Sequence, residues 1–165
     1  MTMTAFYPIG TPGKPWGDAE KAEWLGRQRK QRSYADDVSR AIEGLRSRFE
    51  VVQYGELDYP PERYPLFALK SPGWRDQLPV MLVTGGVHGY ETSGVHGALR
   101  FAERHAAEHA GRVNLVVVPC VSPWGYERIH RWNPDALDPN RNFRAGSPVA
   151  ATPESVITSA RVAPS

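Results

Sequence analysis

His88 and Glu91 stand three residues apart in the stretch VHGYET, directly after the glycine pair Gly85-Gly86. Imidazole nitrogen and carboxylate oxygen are donors that zinc takes at about 2.0–2.2 Å, so a strand end that delivers both to one point suits a metal. The neighbouring glycines let the chain turn without a Cβ penalty and leave room for a ligand. Taken alone, H-x-x-E equally fits a polar turn in which Glu91 faces the positive end of the following helix. A second constellation is RWNPDALDPNRNF, Arg131 to Phe143. Arginine presents a planar fork matched to a carboxylate, and asparagine adds an amide donor. That segment also fits a salt-bridged loop in which Asp135 or Asp138 pairs with an arginine.

The elements that must position these residues read as alternating strands and helices. Val80 to Thr84 is an apolar run that predicts a buried strand ending at Gly85-Gly86. Val95, Leu99, Ala102 and Ala106 then recur at helical spacing, with Thr92 or Ser93 as the cap and Gly111 past the end. Val113 to Cys120 is a further apolar strand, so the three elements read as a βαβ unit in a sheet covered on both faces. In such sheets ligands gather at the carboxyl ends of the strands, where His88 and Glu91 fall. Upstream, Glu50–Leu57 and Tyr64–Lys70 are strand candidates separated by Pro60-Pro61, with Pro65 suggesting an edge or a strand start. Ser33 opens a helix with a capping-box-like Ser33-x-x-Asp36 and the stripe Tyr34, Val38, Ala41, Ile42, Leu45 and Phe49. Residues 1–32 read as an arm and an exposed charged helix, 33–144 as a partial α/β domain, and 145–165 as an irregular or weakly ordered tail in which Pro153-Glu154 could open a helix but no rich apolar face follows.

Composition narrows the classes. The 165 residues make one domain or part of one, and Lys+Arg 20 against Asp+Glu 18 gives +2, which argues for no nucleic-acid partner. The single cysteine, Cys120, excludes an internal disulfide and fits a reducing, cytoplasmic setting as a buried small hydrophobe. The opening MTMTAFYPIGTPGKPWG has no apolar h-region, so no secretory signal is expected, and no apolar run of about 18 residues predicts a membrane span.

Together, the two constellations resemble the carboxypeptidase A-like zinc metallopeptidases. The family's first motif is H-x-x-E after a strand, here His88-Gly89-Tyr90-Glu91. Its second is R-x-N-x-x-G-V-D-L-N-R-N-F, met here at identical spacing with Ala136 and Pro139 in place of the usual Gly and Leu. The resemblance covers about residues 50–144. It implies a mixed β-sheet between helices in a three-layer sandwich, cut short on its C-terminal side. It implies zinc held by His88 and Glu91, with Arg131 polarising the scissile carbonyl and Asn140 and Arg141 holding the substrate's free carboxylate. The implied activity is hydrolysis of a peptide or amide bond beside that carboxylate. A related amidohydrolase acting on N-acyl amino acids, like aspartoacylase and succinylglutamate desuccinylase, is the runner-up, and a non-catalytic remnant is the alternative from another class. The family's third zinc-ligating histidine and its general-base glutamate have no counterpart: after Phe143 the chain has no histidine and only Glu154. The chain is therefore expected to be the N-terminal part of such a domain, truncated or frame-shifted, and at best a poor peptidase.

Overall fold

The computed structural model describes residues 8–143 and 151–162. Four strands form one mixed sheet in the order β1-β2-β4-β3: β1 Glu50–Tyr59, β2 Glu62–Lys70, β3 Val80–Thr84 and β4 Asn114–Val118. The helices are α1 Asp18–Arg27, α2 Arg40–Glu43 (led in by π-helical Ala35–Ser39), α3 Thr92–Arg104, α4 Pro123–Arg128 and α5 Pro153–Val162. The fold is α/β, a mixed sheet flanked by helices.

β1 and β2 form an antiparallel hairpin closed by Pro60-Pro61, with a register shift between Gln53 and Gly55. β2 meets β4 only at Leu69 and Lys70, so Pro65, paired with Glu56 on the other side, interrupts no central ladder. β3 and β4 run parallel from Val80↔Asn114 to Thr84↔Val118 and are joined through α3, the expected βαβ unit. Strand alternation then sorts two cores. Leu69, Leu115 and Val117 pack with Trp24, Val38, Ile42, Val95 and Leu99, whereas Ala68, Val116 and Val118 pack with Val121 and Val162 of α5. Each such Leu, Val or Ile contributes about 1.5–3 kcal/mol of transfer free energy on full burial. The helix stripes fall as their spacing requires, and Ser33 Oγ accepts the Asp36 amide at 3.1 Å as its cap. Ala41 alone leaves its stripe and stays exposed.

Four features differ from the sequence reading. β3 is half-exposed rather than buried, with Leu82 38% accessible, because among the described residues it pairs with β4 alone and lies at the sheet's edge. The charged segment before Ser33 is not wholly exposed: α1 buries Trp24 against Trp124, ring centroids 5.9 Å apart. α3 has no side-chain cap; Glu91 occupies the cap position, and the Thr92 hydroxyl is engaged by Arg32. Finally, the helix start offered by Pro153-Glu154 continues as a full helix to Val162 within the stretch read as an irregular or weakly ordered tail. α5 lays Ile157 on Gly55, where an added Cβ would stand 2.3 Å from Ile157 Cγ2. Its buried side is largely polar, with Glu154, Ser155 and Thr158, so no apolar stripe announced it. The rest of that tail, 145–150 and 163–165, lies outside the described residues, as do residues 1–7 of the arm.

Candidate metal centre

β3 and β4 end side by side, and the chain leaving each is tied to the other. Gly85 donates to the Val118 carbonyl (2.8 Å), Ser122 N to the Gly86 carbonyl (2.9 Å), and Ser122 Oγ to the Val87 carbonyl (2.7 Å). Gly86 adopts φ +56°, a left-handed conformation open to glycine at little cost, and a Cβ there would strike Val95 Cγ2 at 2.5 Å. The turn so formed carries His88, 4% exposed, against the backbone of α4.

His88 Nδ1 stands 2.7 Å from Glu91 Oε1, and its Nε2 2.9 Å from Asp138 Oδ1. A neutral imidazole carries one proton. If Nε2–H donates to Asp138, the Nδ1 lone pair faces a carboxylate oxygen, and a proton or a cation must lie between them. An imidazole whose second nitrogen is oriented by a carboxylate is the arrangement that raises ligand basicity at metal sites. His88 and Glu91 thus fit two ligand positions of a zinc-like ion. Among the described residues, no cluster of three or more His, Cys, Asp or Glu is arranged to hold a metal.

Asp138 joins the two constellations. Its Oδ2 accepts from Arg131 Nε (3.0 Å) and Nη2 (2.9 Å) and lies 3.5 Å from Arg141 Nε; its Oδ1 also accepts the Asn140 amide (3.0 Å). Burial alone would raise its pKa, but the hydrogen bonds from His88, Arg131 and the Asn140 amide outweigh that and hold it below the usual carboxylate value. Arg131 Nη1 donates to Tyr90 Oη (3.0 Å), and the Tyr90 ring stacks on His88 with centroids 5.9 Å apart. Arg131 is therefore beside the turn that carries His88 and Glu91. Arg141 and Asn140 lie on the exposed rim, Asn140 lining a hollow of about 330 Å³ with Leu82, Thr84, Val87 and Phe143.

The loop that places Asp138 is shaped by Asn133, 1% exposed, whose Oδ1 accepts the amides of Asp135 (3.1 Å) and Leu137 (3.0 Å). Ala136 takes φ +58°, the conformation that explains the glycine usual at this place in the motif. Ile129, at φ +57°, ends α4 and turns the chain so that the His130 carbonyl meets the Tyr90 amide at 3.1 Å. His130 itself packs on Trp24 and Trp132, and burial lowers its pKa. His96 meets Tyr126 Oη, His105 meets Glu108 and His109 meets Phe101, so these histidines are engaged elsewhere. Glu154, 1% exposed, accepts from Tyr59 Oη (2.7 Å) and faces Asn133 Nδ2 (3.5 Å), and burial raises its pKa. Sequence reasoning weighed Asp138 only as an ion-pair partner of arginine. Its position two residues before Asn140 was the available signal. Tyr90 and Arg32 carried none.

A family model described as "Protein of unknown function (DUF2817)" matches residues 70–156, past Arg144 and into α5, so the sequence likeness does not stop at the second motif. A solved structure of a candidate metallopeptidase from Shewanella baltica OS155 is 30% identical, with TM-score 0.62 over 76% of this chain and 48% of its own. Another from Shewanella amazonensis SB2B is 28% identical, with TM-score 0.62 over 81% of this chain and 55% of its own. A metallo-carboxypeptidase from Burkholderia cenocepacia, 18% identical, shares the fold with TM-score 0.57 over 76% of this chain and 36% of its own. The chain spans about half the length of the two Shewanella proteins. No curated protein matches the sequence. Among the described residues, no helix is long and apolar enough to cross a membrane.

Proposed function

Since this chain belongs to the DUF2817 family and shares its fold with solved metallopeptidases, we propose that it serves metal-dependent hydrolysis of a peptide or amide bond next to a free carboxylate. His88 Nδ1 and Glu91 would hold zinc. A zinc ion, when bound, supplies an acidified water and a polarised carbonyl. Asp138 keeps the His88 ring oriented through Nε2 and holds Arg131 at the same time. Arg131 presents fixed positive charge beside that point, where an oxyanion would develop. Asn140 and Arg141, on the exposed rim, would receive the substrate's carboxylate, the guanidinium offering a paired-donor fork.

The observation that carries this reading is the Asp138 bridge, which brings Arg131 to within one carboxylate of His88 while Glu91 stands 2.7 Å from the other ring nitrogen. Hydrolytic zinc centres use three protein ligands and an open position. The described residues bring two, so weak metal affinity and slow turnover are expected of this chain alone.

The test is a calorimetric titration of wild type and His88→Ala with Zn²⁺, beside an assay on peptides with free and amidated C-termini. His88→Ala should abolish stoichiometric binding. Unchanged affinity in that variant would rule out the metal assignment, and equal cleavage of amidated peptides would rule out the carboxylate role of Asn140 and Arg141.

A further inference from the structure

Arg32 lies far from the motifs in sequence, in the link between α1 and α2, yet its guanidinium ends at the turn that carries His88 and Glu91. Nη2 donates to the Gly89 carbonyl (2.8 Å), Nη1 to Thr92 Oγ1 (2.7 Å) and Nε to the Tyr126 carbonyl on α4 (2.6 Å). The guanidinium also lies 3.6 Å over the Tyr126 ring. Gly89 and Thr92 bracket Tyr90 and Glu91, and Thr92 Oγ1 lies 3.4 Å from the Tyr90 carbonyl. One side chain therefore holds both ends of the turn and fastens them to α4.

The link that bears Arg32 is itself anchored. Gln31 N and Arg32 N donate to the Glu127 carbonyl (2.8 and 3.3 Å), Gln31 Nε2 to the Arg128 carbonyl (2.9 Å), and Lys30 Nζ pairs with the buried Glu127 carboxylate (2.7 Å). The Tyr34 amide reaches the same carboxylate at 2.8 Å. A half-buried arginine on a fixed strap, with its donors aimed at two different elements, is a geometry that lysine cannot reproduce, because its ammonium is a single point without a fork.

Resting on the metal reading above, we propose that Arg32 is a positioning residue for the metal centre. Its hydrogen bonds go to Gly89, Thr92 and Tyr126 and not to the side chains of His88 or Glu91. It sets the path of the backbone between them, and so the convergence of Nδ1 and Oε1 on one point. Removal of partners that orient metal ligands typically weakens metal affinity by about 10- to 100-fold, and that range is expected here.

The experiment compares the full chain with its Arg32→Lys and Arg32→Met variants by two readouts. The first is backbone amide hydrogen exchange at Tyr90 and Glu91, referenced to Val116 and Val117 in β4. The second is the affinity for Co²⁺, read from the absorption of the ion. In both variants exchange at Tyr90 and Glu91 should accelerate about tenfold or more while β4 changes by less than about threefold, and Co²⁺ should bind about tenfold or more weakly. Unaltered exchange at Tyr90 and Glu91 overturns the proposal. So does uniform acceleration that includes β4, which would make Arg32 a general determinant of folding, and so does unchanged Co²⁺ affinity in a variant with a loosened turn. If wild type itself takes no Co²⁺, the metal reading fails, and selective loosening of the turn still establishes that Arg32 positions it.

Discussion

Gly89→Ala perturbs the candidate centre without altering the identity of any proposed functional side chain. A Cβ at residue 89 would stand 1.8 Å from Gly125 C, 2.1 Å from Tyr126 N and 2.2 Å from Gly125 O. Carbon atoms rest about 3.5–4.0 Å apart, so the turn and α4 would have to separate by roughly 1.5–2 Å. Both parties are backbone, and neither is loosely held. Tyr90 N donates to the His130 carbonyl (3.1 Å), Tyr126 N to the Ser122 carbonyl (2.8 Å), and Arg32 fastens the turn to α4. Overpacking commonly costs about 1–3 kcal/mol when side chains can yield. Here no side chain can yield, which places the expected loss at about 3 kcal/mol or more. The displacement also exceeds the roughly 0.5 Å that a functional constellation tolerates, so metal binding should vanish with it. Gly97 is the internal control. It lies exposed within α3 with nothing within 4 Å of an added Cβ, and Gly97→Ala should stabilise by about 0.5–1 kcal/mol. Urea unfolding followed by circular dichroism, with Co²⁺ titration of each variant, reads both. A Gly89→Ala protein within about 1 kcal/mol of wild type and with undiminished Co²⁺ affinity would refute the close packing of this turn on α4.

Other expectations concern residues around the site. Ala136→Gly should stabilise by about 0.5–1 kcal/mol, because φ +58° costs an L residue about 1–2 kcal/mol and glycine gives back part of that in chain entropy; a destabilised variant in urea unfolding would contradict the strain. Burial raises the Glu154 pKa, and the hydrogen bonds from Tyr59, Asn133 and Thr152 offset only part of this. The native state then binds that proton more tightly than the unfolded chain, so its stability contribution is full below the ordinary carboxylate pKa and is lost as pH rises through the native value. Glu154→Gln should flatten this decline in Tm from acidic to neutral pH, and an unchanged slope would show that Glu154 is not its source. Burial pushes the Cys120 thiol up to about 12, so Ellman's reagent should label it only after urea unfolding; prompt labelling of the native protein would mean that the site opens.

Local pattern was sufficient wherever one residue type has one physical use. Apolar spacing marked α3 and the stripe from Tyr34 to Phe49, continuous Val and Leu marked β4, and Pro65 marked a strand position with one partner. His88, Glu91, Arg131, Asn140 and Arg141 could be named because donors at fixed short separations survive as a pattern in one dimension. The meeting of His88 with Arg131 through Asp138 could not, because it depends on contacts made across the fold. Asp138 reaches His88 over 50 positions, and Arg32 reaches Gly89 over 57. The same limit hid the exposure of β3, since a strand's place in a sheet is set by which neighbours pair with it and not by its own apolar content. It hid the run of α5 beyond the helix start that Pro153-Glu154 offered, since the helix docks through Ile157, Val162 and a buried polar side instead of an apolar stripe. Sequence determined which groups have the chemistry for metal and carboxylate binding. Tertiary structure alone decided that one aspartate bridges them and that an arginine from the N-terminal link holds the turn, because hydrogen bonds between distant segments leave no periodicity to read.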